Sequence, residues 1–452
     1  MTRFSRVIAA SALVLVLALC TPQFGRAQQF APPAATQQAT PSAPPAAAPQ
    51  PAPKIITAYT LPPDLYEKTK HLEKVSLTFL VVGTIYGLVV LWLFLAWKLG
   101  PKYRDWCERA SSKFLLQAAI FAPLFVLTID VFELPLSIFE HWEGRNYGLS
   151  VQGWGSWAWD WTKGELVSVI IAIIAISILY AVIRKSPRRW WFYFWLASLP
   201  LALLLTFLEP LVIDPLFHKF EPLAQKNPEL TAALEKIVQR AGENIPPERM
   251  YWMNASEKVN EVNAYVTGLG GSKRIVVWDT TIAKMTTPQI AFAAGHEMGH
   301  YVLNHISKGL AIYAIGSLIL FYLAYRLIGW LLARRGGAWE IRSAGDFASL
   351  PALVLLLTIF GVVLMPATNT ISRYFEHQAD QYGLEVTHGL TPDSGEVAAQ
   401  AFQILGEVNL EFPDPGRLAV FLTYNHPATR DRIRFALTYD PWSSGGHGVF
   451  VH

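Results

Sequence analysis

The stretch "AAGHEMGHYVLNH", residues 293–305, gathers three of the chain's 11 histidines and one glutamate. His296, Glu297 and His300 spell H-E-x-x-H. On a helix, positions four apart share a face one turn from each other, so both imidazoles reach one tetrahedral ion while Glu297 points beside it. Read alone, the pentapeptide also fits two polar contacts on an amphipathic helix. A hydrolytic zinc needs a third protein ligand and one position left open. His305 does not supply it in the metzincin manner: it lies nine residues after His296 instead of ten, and Leu303 stands where a glycine is needed. The better candidate is in "SRYFEHQADQYG", where Glu376 and Asp380 are four apart on an expected helix. Glu376 completes a His-His-Glu, gluzincin-type shell, and Asp380 orients one imidazole through its second nitrogen. Taken alone, Glu376 reads as a solvated helix face; what favours it as a ligand is that the histidine motif lacks a carboxylate.

The two cysteines, Cys20 and Cys107, have no Cys or His neighbour at ligand spacing, so His, Asp and Glu must hold any metal. The expected cofactor is one zinc ion per chain, a Lewis acid that lowers the pKa of water to about 7, with Glu297 as the base that takes its proton. The natural reaction is hydrolysis of a peptide bond. An oxyanion needs a further donor, for which "NHPATRDRI" offers His426 and Arg432. By itself His426 reads as a capping or packing histidine.

These residues need a scaffold, and the composition says which kind. The 452 residues are 52% hydrophobic, 13% aromatic and 16% charged, too apolar for an ordinary soluble enzyme. A net charge of +3 gives no case for nucleic acid. Apolar runs long enough for the roughly 30 Å hydrocarbon core are expected as spans at about 75–97, 114–138, 166–183, 190–212, 309–333 and 347–370. The second carries Asp130 and Glu133, and the fourth ends in Glu209 and Asp214. These acids read first as interfacial, near helix ends, and otherwise as facing a wet cavity, because a carboxylate facing lipid costs at least a few kcal/mol.

Lys and Arg cluster in "KLGPKYRDWCERASSK", "RKSPRR" and "ARRGGAWEIR", after the first, third and fifth spans. "EHWEGRNYGLSVQGWGSWAWDWTKGE", between the second and third spans, has few positive charges and several tryptophans. The positive-inside rule therefore puts the basic loops in the cytoplasm and the histidine motif outside, in an inner-membrane, multi-pass protein. The N-terminus, with two arginines, an apolar run and small residues to Ala27, reads as a signal peptide over 1–27. Leu19 before Cys20 argues against lipidation. A Pro/Ala-rich linker follows over 28–70.

The expected organisation is then membrane helices 1–4 over 71–214, a catalytic portion over 215–308, membrane helices 5–6 over 309–370, and the rest of the catalytic domain over 371–452. Between spans four and five, "RMYWMNAS", "VNAYVTG" and "RIVVWDT" read as short strands, with "GLGGSK" a hairpin turn. The histidine helix is expected to start with Thr287 as cap and Pro288 in the first turn. The fold class is mainly α: a polytopic helical membrane protein with a zinc protease domain that contains a small β-sheet.

"HEMGHYVLNH", "SRYFEHQAD" and "HPATRDR", in this order and preceded by "VIDPLFHKFEPL" and "NAYVTGLGGSKRIVVWDTTI", resemble the type I CAAX prenyl protease family of integral-membrane zinc metalloendopeptidases. The resemblance runs from about Glu140 to about Phe435. It implies His296, His300 and Glu376 as ligands, Glu297 as base, Asp380 behind the ligands and His426 near the scissile carbonyl. It further implies Asn263 on an edge strand that holds the substrate backbone, Arg432 as support for the site, and a helical barrel around an intramembrane chamber. This chain departs from the family's eukaryotic members in two ways: they have seven spans against six here, and their catalytic side faces the cytosol.

The expected activity is cleavage of membrane-associated or misfolded proteins and peptides by a membrane-embedded zinc endopeptidase, with peptide substrate and membrane lipid as partners and a monomer as the simplest state. The alternatives are removal of the C-terminal tripeptide from prenylated proteins, and a catalytically silent, zinc-stabilised membrane scaffold. A transporter is disfavoured, since no pair of broken helices recurs in two halves.

Overall fold

Six helices are long and apolar enough to cross a membrane in the computed structural model of the protein, which describes residues 56–268 and 270–451. They are α1 (Pro63–Ala96), α3 (Phe114–Asn146), α4 (Trp154–Lys185), α5 (Trp190–Leu208, extended by irregular turns to Phe217), α8 (His305–Arg335) and α9 (Leu350–Thr387). A helix satisfies its own backbone hydrogen bonds, which is why uncharged runs of this length take no other form in lipid. The short, polar α2 (Leu99–Ala110) links α1 to α3.

Several helices outrun the apolar windows. α1 begins at Pro63, with proline in its first turn and Asp64 near its positive end; Glu67, Lys70 and Glu73 interrupt the hydropathy but not the helix. Residues 63–70 are therefore helix, where a linker was expected. The signal peptide, its cleavage near Ala27, Cys20 and the linker as far as residue 55 lie outside the described residues. α9 continues without a break through 38 residues, carrying one chain from the membrane region to Glu376, Asp380 and beyond.

The membrane bundle is two-faced. Val81, Ile85, Val89 and Trp92 of α1 point outward, while Leu91, Phe94 and Leu95 pack with Phe121 and Phe125 of α3, Leu179 of α4 and Phe347. The three basic connections meet at one end. Lys98 pairs with Glu340 at 2.5 Å, the buried Arg104 with Asp346 at 2.7 Å and Arg342 with Glu108 at 2.5 Å, and Arg184 donates to the Gly345 carbonyl at 2.9 Å.

At the other end lies a second core, around a four-stranded sheet of order β1-β2-β4-β3: β1 Phe220–Pro222, β2 Met250–Met253, β3 Ala264–Thr267 and β4 Arg274–Trp278. β2 and β4 run parallel, and β3 and β4 form the antiparallel pair on either side of the glycine turn. β1 was not anticipated; it is three residues long with a proline on an edge, too short for a periodic signal. Around the sheet pack α6 (Pro228–Arg240), α7 (Thr287–Val302), α10 (Ser394–Val408) and, after the short α11 (Arg417–Thr423) that lies against α9, α12 (Thr429–Thr438). The segment before α1 is strapped to this end. Gln403 both donates to the Thr60 carbonyl at 2.6 Å and accepts from its N–H at 3.4 Å, and the Tyr59 hydroxyl donates to the Glu411 carbonyl at 2.8 Å.

Candidate active site

α7 is held at its start by Thr286, whose N–H donates to Gln289 Oε1 at 2.9 Å; this residue, not Thr287, occupies the cap, because Thr287 is already the first helical residue. Its packing against α9 depends on the absence of side chains. A Cβ on Gly299 would lie 3.0 Å from Tyr382 Cβ and 3.2 Å from Ala379 Cα, and one on Gly295 would lie 2.7 Å from Val386 Cγ1. Opposite them, a Cβ on Gly383 would lie 3.1 Å from the backbone nitrogen of His296. Small residues on both helices thus let the two backbones close up and bring Glu376 beside the histidines.

His296, His300 and Glu376, all buried, present ligand atoms within 4.8 Å of one another, the only such group among the described residues. His296 Nε2 lies 3.3 Å from His300 Nε2 and 3.2 Å from Glu376 Oε2, and His300 Nε2 lies 3.7 Å from Glu376 Oε1. Glu376 Oε2 accepts no hydrogen bond although it is buried. A buried carboxylate that faces two imidazole nitrogens, with one oxygen accepting no hydrogen bond, is a costly arrangement that a divalent cation relieves. The residues therefore fit a metal of the nitrogen- and oxygen-binding kind.

The remaining nitrogens are also held. His296 Nδ1 lies 2.8 Å from Asp380 Oδ1, and Arg432 donates to both oxygens of Asp380, at 2.6 and 2.9 Å. Arg432 thus sits behind the ligands and is committed to Asp380, instead of standing free as an oxyanion donor. His300 Nδ1 lies 3.1 Å from His305 Nδ1, whose own Nε2 lies 3.1 Å from Gln378 Oε1 while its ring stacks on Phe375. This support from His305 was not legible in the spacing. It arises because α7 stops and Asn304 takes a left-handed conformation, φ 58°, after which α8 starts with His305 at its first position.

Glu297 lines a cavity of about 270 Å³ and is not among the converging group. Burial pushes its carboxyl up to about 7, with Glu376 adding to this and His296 and the Val266 backbone N–H opposing it. His426 reaches the same centre from the loop before α12, its Nε2 3.2 Å from Glu376 Oε2 and its Nδ1 3.0 Å from Asn425 Oδ1; burial pulls its pKa down, so the ring is neutral at pH 7. Asn263 immediately precedes the edge strand β3 and lines the cavity. Its backbone is fixed by Thr281 Oγ1, which accepts from the Asn263 N–H and donates to its carbonyl, each at 2.7 Å.

The cavity runs on between α1 and α3, past Leu72, Phe79 and Leu136, into the membrane bundle. Glu133 of α3 lines it and is 5% exposed, and Asp130 is 7% exposed. Both stand near the middle of α3, so the interfacial reading of these acids does not hold.

The chain matches the family model of peptidase family M48 over residues 224–440 and that of the CAAX prenyl protease N-terminal region, five membrane helices, over residues 47–219. It is 35% identical over 355 residues to the uncharacterized metalloprotease YhfN of Bacillus subtilis, covering 78% of this chain and 81% of that one. It is 24% identical over 401 residues to CAAX prenyl protease 1 of Saccharomyces cerevisiae, covering 83% and 86%. Its fold is similar to the crystal structure of S. mikatae Ste24p, with a TM-score of 0.69 and 22% identity, over 83% of this chain and 89% of that one. Helical bundle, small sheet and His-His-Glu cluster agree with these likenesses: the chain is a membrane metalloendopeptidase with a metal cofactor, acts on peptide or protein substrates, and belongs to peptidase family M48.

Proposed function

We propose that this protein is a zinc endopeptidase of the inner membrane that cleaves membrane-associated or misfolded proteins from the extracytoplasmic side. The observation that carries the reading is the buried His296, His300 and Glu376 cluster, in which Glu376 Oε2 accepts no hydrogen bond. His296, His300 and Glu376 would hold the ion, with Asp380 and His305 fixing the two rings. When bound, zinc supplies a Lewis acid and water of lowered pKa. Glu297 accepts the proton of the attacking water and returns it to the leaving amine, which a carboxyl of pKa near 7 does in both directions. His426 faces the same centre through Nε2 and would donate to the developing oxyanion when that nitrogen carries a proton. The free edge of β3 beyond Asn263 receives the substrate backbone as an added strand.

The sidedness rests on the meeting of all three basic connections at one end of the bundle, while the segment before α1 is strapped to the catalytic end. The chain is read as a monomer surrounded by lipid. In the direct test, purified protein with zinc cuts a quenched fluorescent peptide and Glu297→Gln does not. An equal rate from the variant overturns the reading, and no cleavage by either favours the silent scaffold.

One observation favours a second reading, removal of the C-terminal tripeptide from prenylated proteins. The cavity wall from α1 and α3 is apolar over Leu72, Leu77, Phe79, Leu80 and Leu136, a surface an isoprenoid would bury. Faster cleavage of a farnesylated peptide than of its unmodified twin would support it, and equal rates would exclude it.

A further inference from the structure

The wall of the cavity is unevenly charged. Five carboxylates line it, Glu73, Glu133, Glu140, Glu297 and Glu411, against a single cation, Arg432, which is engaged by Asp380. Glu297 belongs to the chemistry. Glu411 accepts from the Thr429 hydroxyl, and Glu73 is hydrogen-bonded to Tyr424. Glu133 is the more deeply buried: it is 5% exposed, and its Oε2, like Oε1 of the half-buried Glu73, has no hydrogen-bond partner. Glu140 follows two helical turns later on the same face of α3, about 10 Å along the axis.

A buried carboxylate oxygen without a donor is costly, and the cost is removed when a cation enters. A shared metal ion does not fit, because among the described residues the only group of three or more ligand residues with atoms within 4.8 Å of one another is His296, His300 and Glu376. Acids spaced along an elongated, mostly apolar wall suit a cation carried on a chain, whose methylenes lie against Leu136 and Phe79 while its head reaches the carboxylate.

We propose that Glu133, supported by Glu140, forms a specificity subsite in the membrane part of the cavity for a lysine or arginine side chain of the peptide substrate. The inference rests on the protease reading above and adds to it the chemistry of the sequence preferred: apolar residues with a basic residue some distance from the scissile bond.

The test measures binding apart from cleavage. Full-length Glu297→Gln protein in lipid nanodiscs is titrated, by fluorescence anisotropy, with labelled peptides in which one Lys is moved along an otherwise uncharged Ala/Gln sequence. At one position Lys binds about 10-fold tighter than Gln, the scale of a charged hydrogen bond; the preference disappears in Glu297→Gln/Glu133→Gln and returns in Glu297→Gln/Glu133→Asp. Equal binding at every position, or a preference that survives Glu133→Gln, overturns the proposal. The same peptides are given to the zinc-loaded Glu297 parent. Lysine preference without cleavage sinks the protease reading and leaves the subsite standing, whereas cleavage with no charge preference sinks the subsite alone.

Discussion

Asp380 Oδ1 is shared between His296 Nδ1 at 2.8 Å and Arg432 Nη2 at 2.6 Å, so one buried carboxylate couples a metal-facing imidazole to a guanidinium. The tautomer of His296 follows: Nδ1 carries the proton toward Asp380 and Nε2 presents its lone pair to the cluster. Asp380→Asn keeps the shape but weakens this orientation. Zinc affinity should fall about 10- to 100-fold, as measured by competition with a chromophoric chelator; unchanged affinity would remove Asp380 from the site.

His305 should matter through His300 alone. It is buried and stacked on Phe375, so His305→Phe preserves the packing and removes the nitrogen beside His300 Nδ1. The expected result is about 10-fold weaker zinc binding, with the melting temperature of the metal-free protein little changed. A large loss of metal-free stability with normal affinity would make His305 a packing residue.

The α7/α9 contact predicts a steric effect at a position without chemistry. Gly299→Val adds atoms where a Cβ already lies 3.0 Å from Tyr382 Cβ and 3.2 Å from the backbone of Ala379. Forcing the helices apart should cost about 1–3 kcal/mol and lower zinc stoichiometry, with Gly299→Ala intermediate. Thermal unfolding and metal analysis of the same preparations check both; normal stoichiometry in the valine variant would separate the helix contact from the metal site.

Glu297 sets the sign of the pH dependence. Burial raises its carboxyl to about 7, and only the carboxylate form accepts a proton, so activity should be lost as pH falls through that value. A dication nearby draws the value down. The account therefore predicts an acid limb in kcat/KM with its midpoint at or below about pH 7, falling tenfold per unit. A limb appearing only above pH 8 would point to another base.

Much of the site could be read from spacing. H-E-x-x-H and the Glu376/Asp380 pair are local, four-residue patterns on helices, and local patterns survive without knowledge of the fold. The three strands at 250–253, 264–267 and 274–278 were marked by β-branched and aromatic runs between turn residues. Other features depended on tertiary structure. His305 reaches His300 only because Asn304 takes a left-handed turn between α7 and α8, Arg432 reaches Asp380 only through the packing of α12 against α9, and the sequence ranks an interfacial Glu133 above one facing a wet cavity because hydropathy carries no record of what a helix faces. Thr286 and Thr287 differ by one position at a helix boundary, where two adjacent threonines before a proline fit almost equally well.

The central claim is that Glu376 shares one ion with His296 and His300, and a crystal of the zinc-replete protein tests it most directly. An anomalous difference map at the zinc edge should contain a single strong peak about 2.0–2.2 Å from both Nε2 atoms and a Glu376 oxygen. A replete crystal with no peak there, or with Glu376 turned away from the ion, would contradict the account.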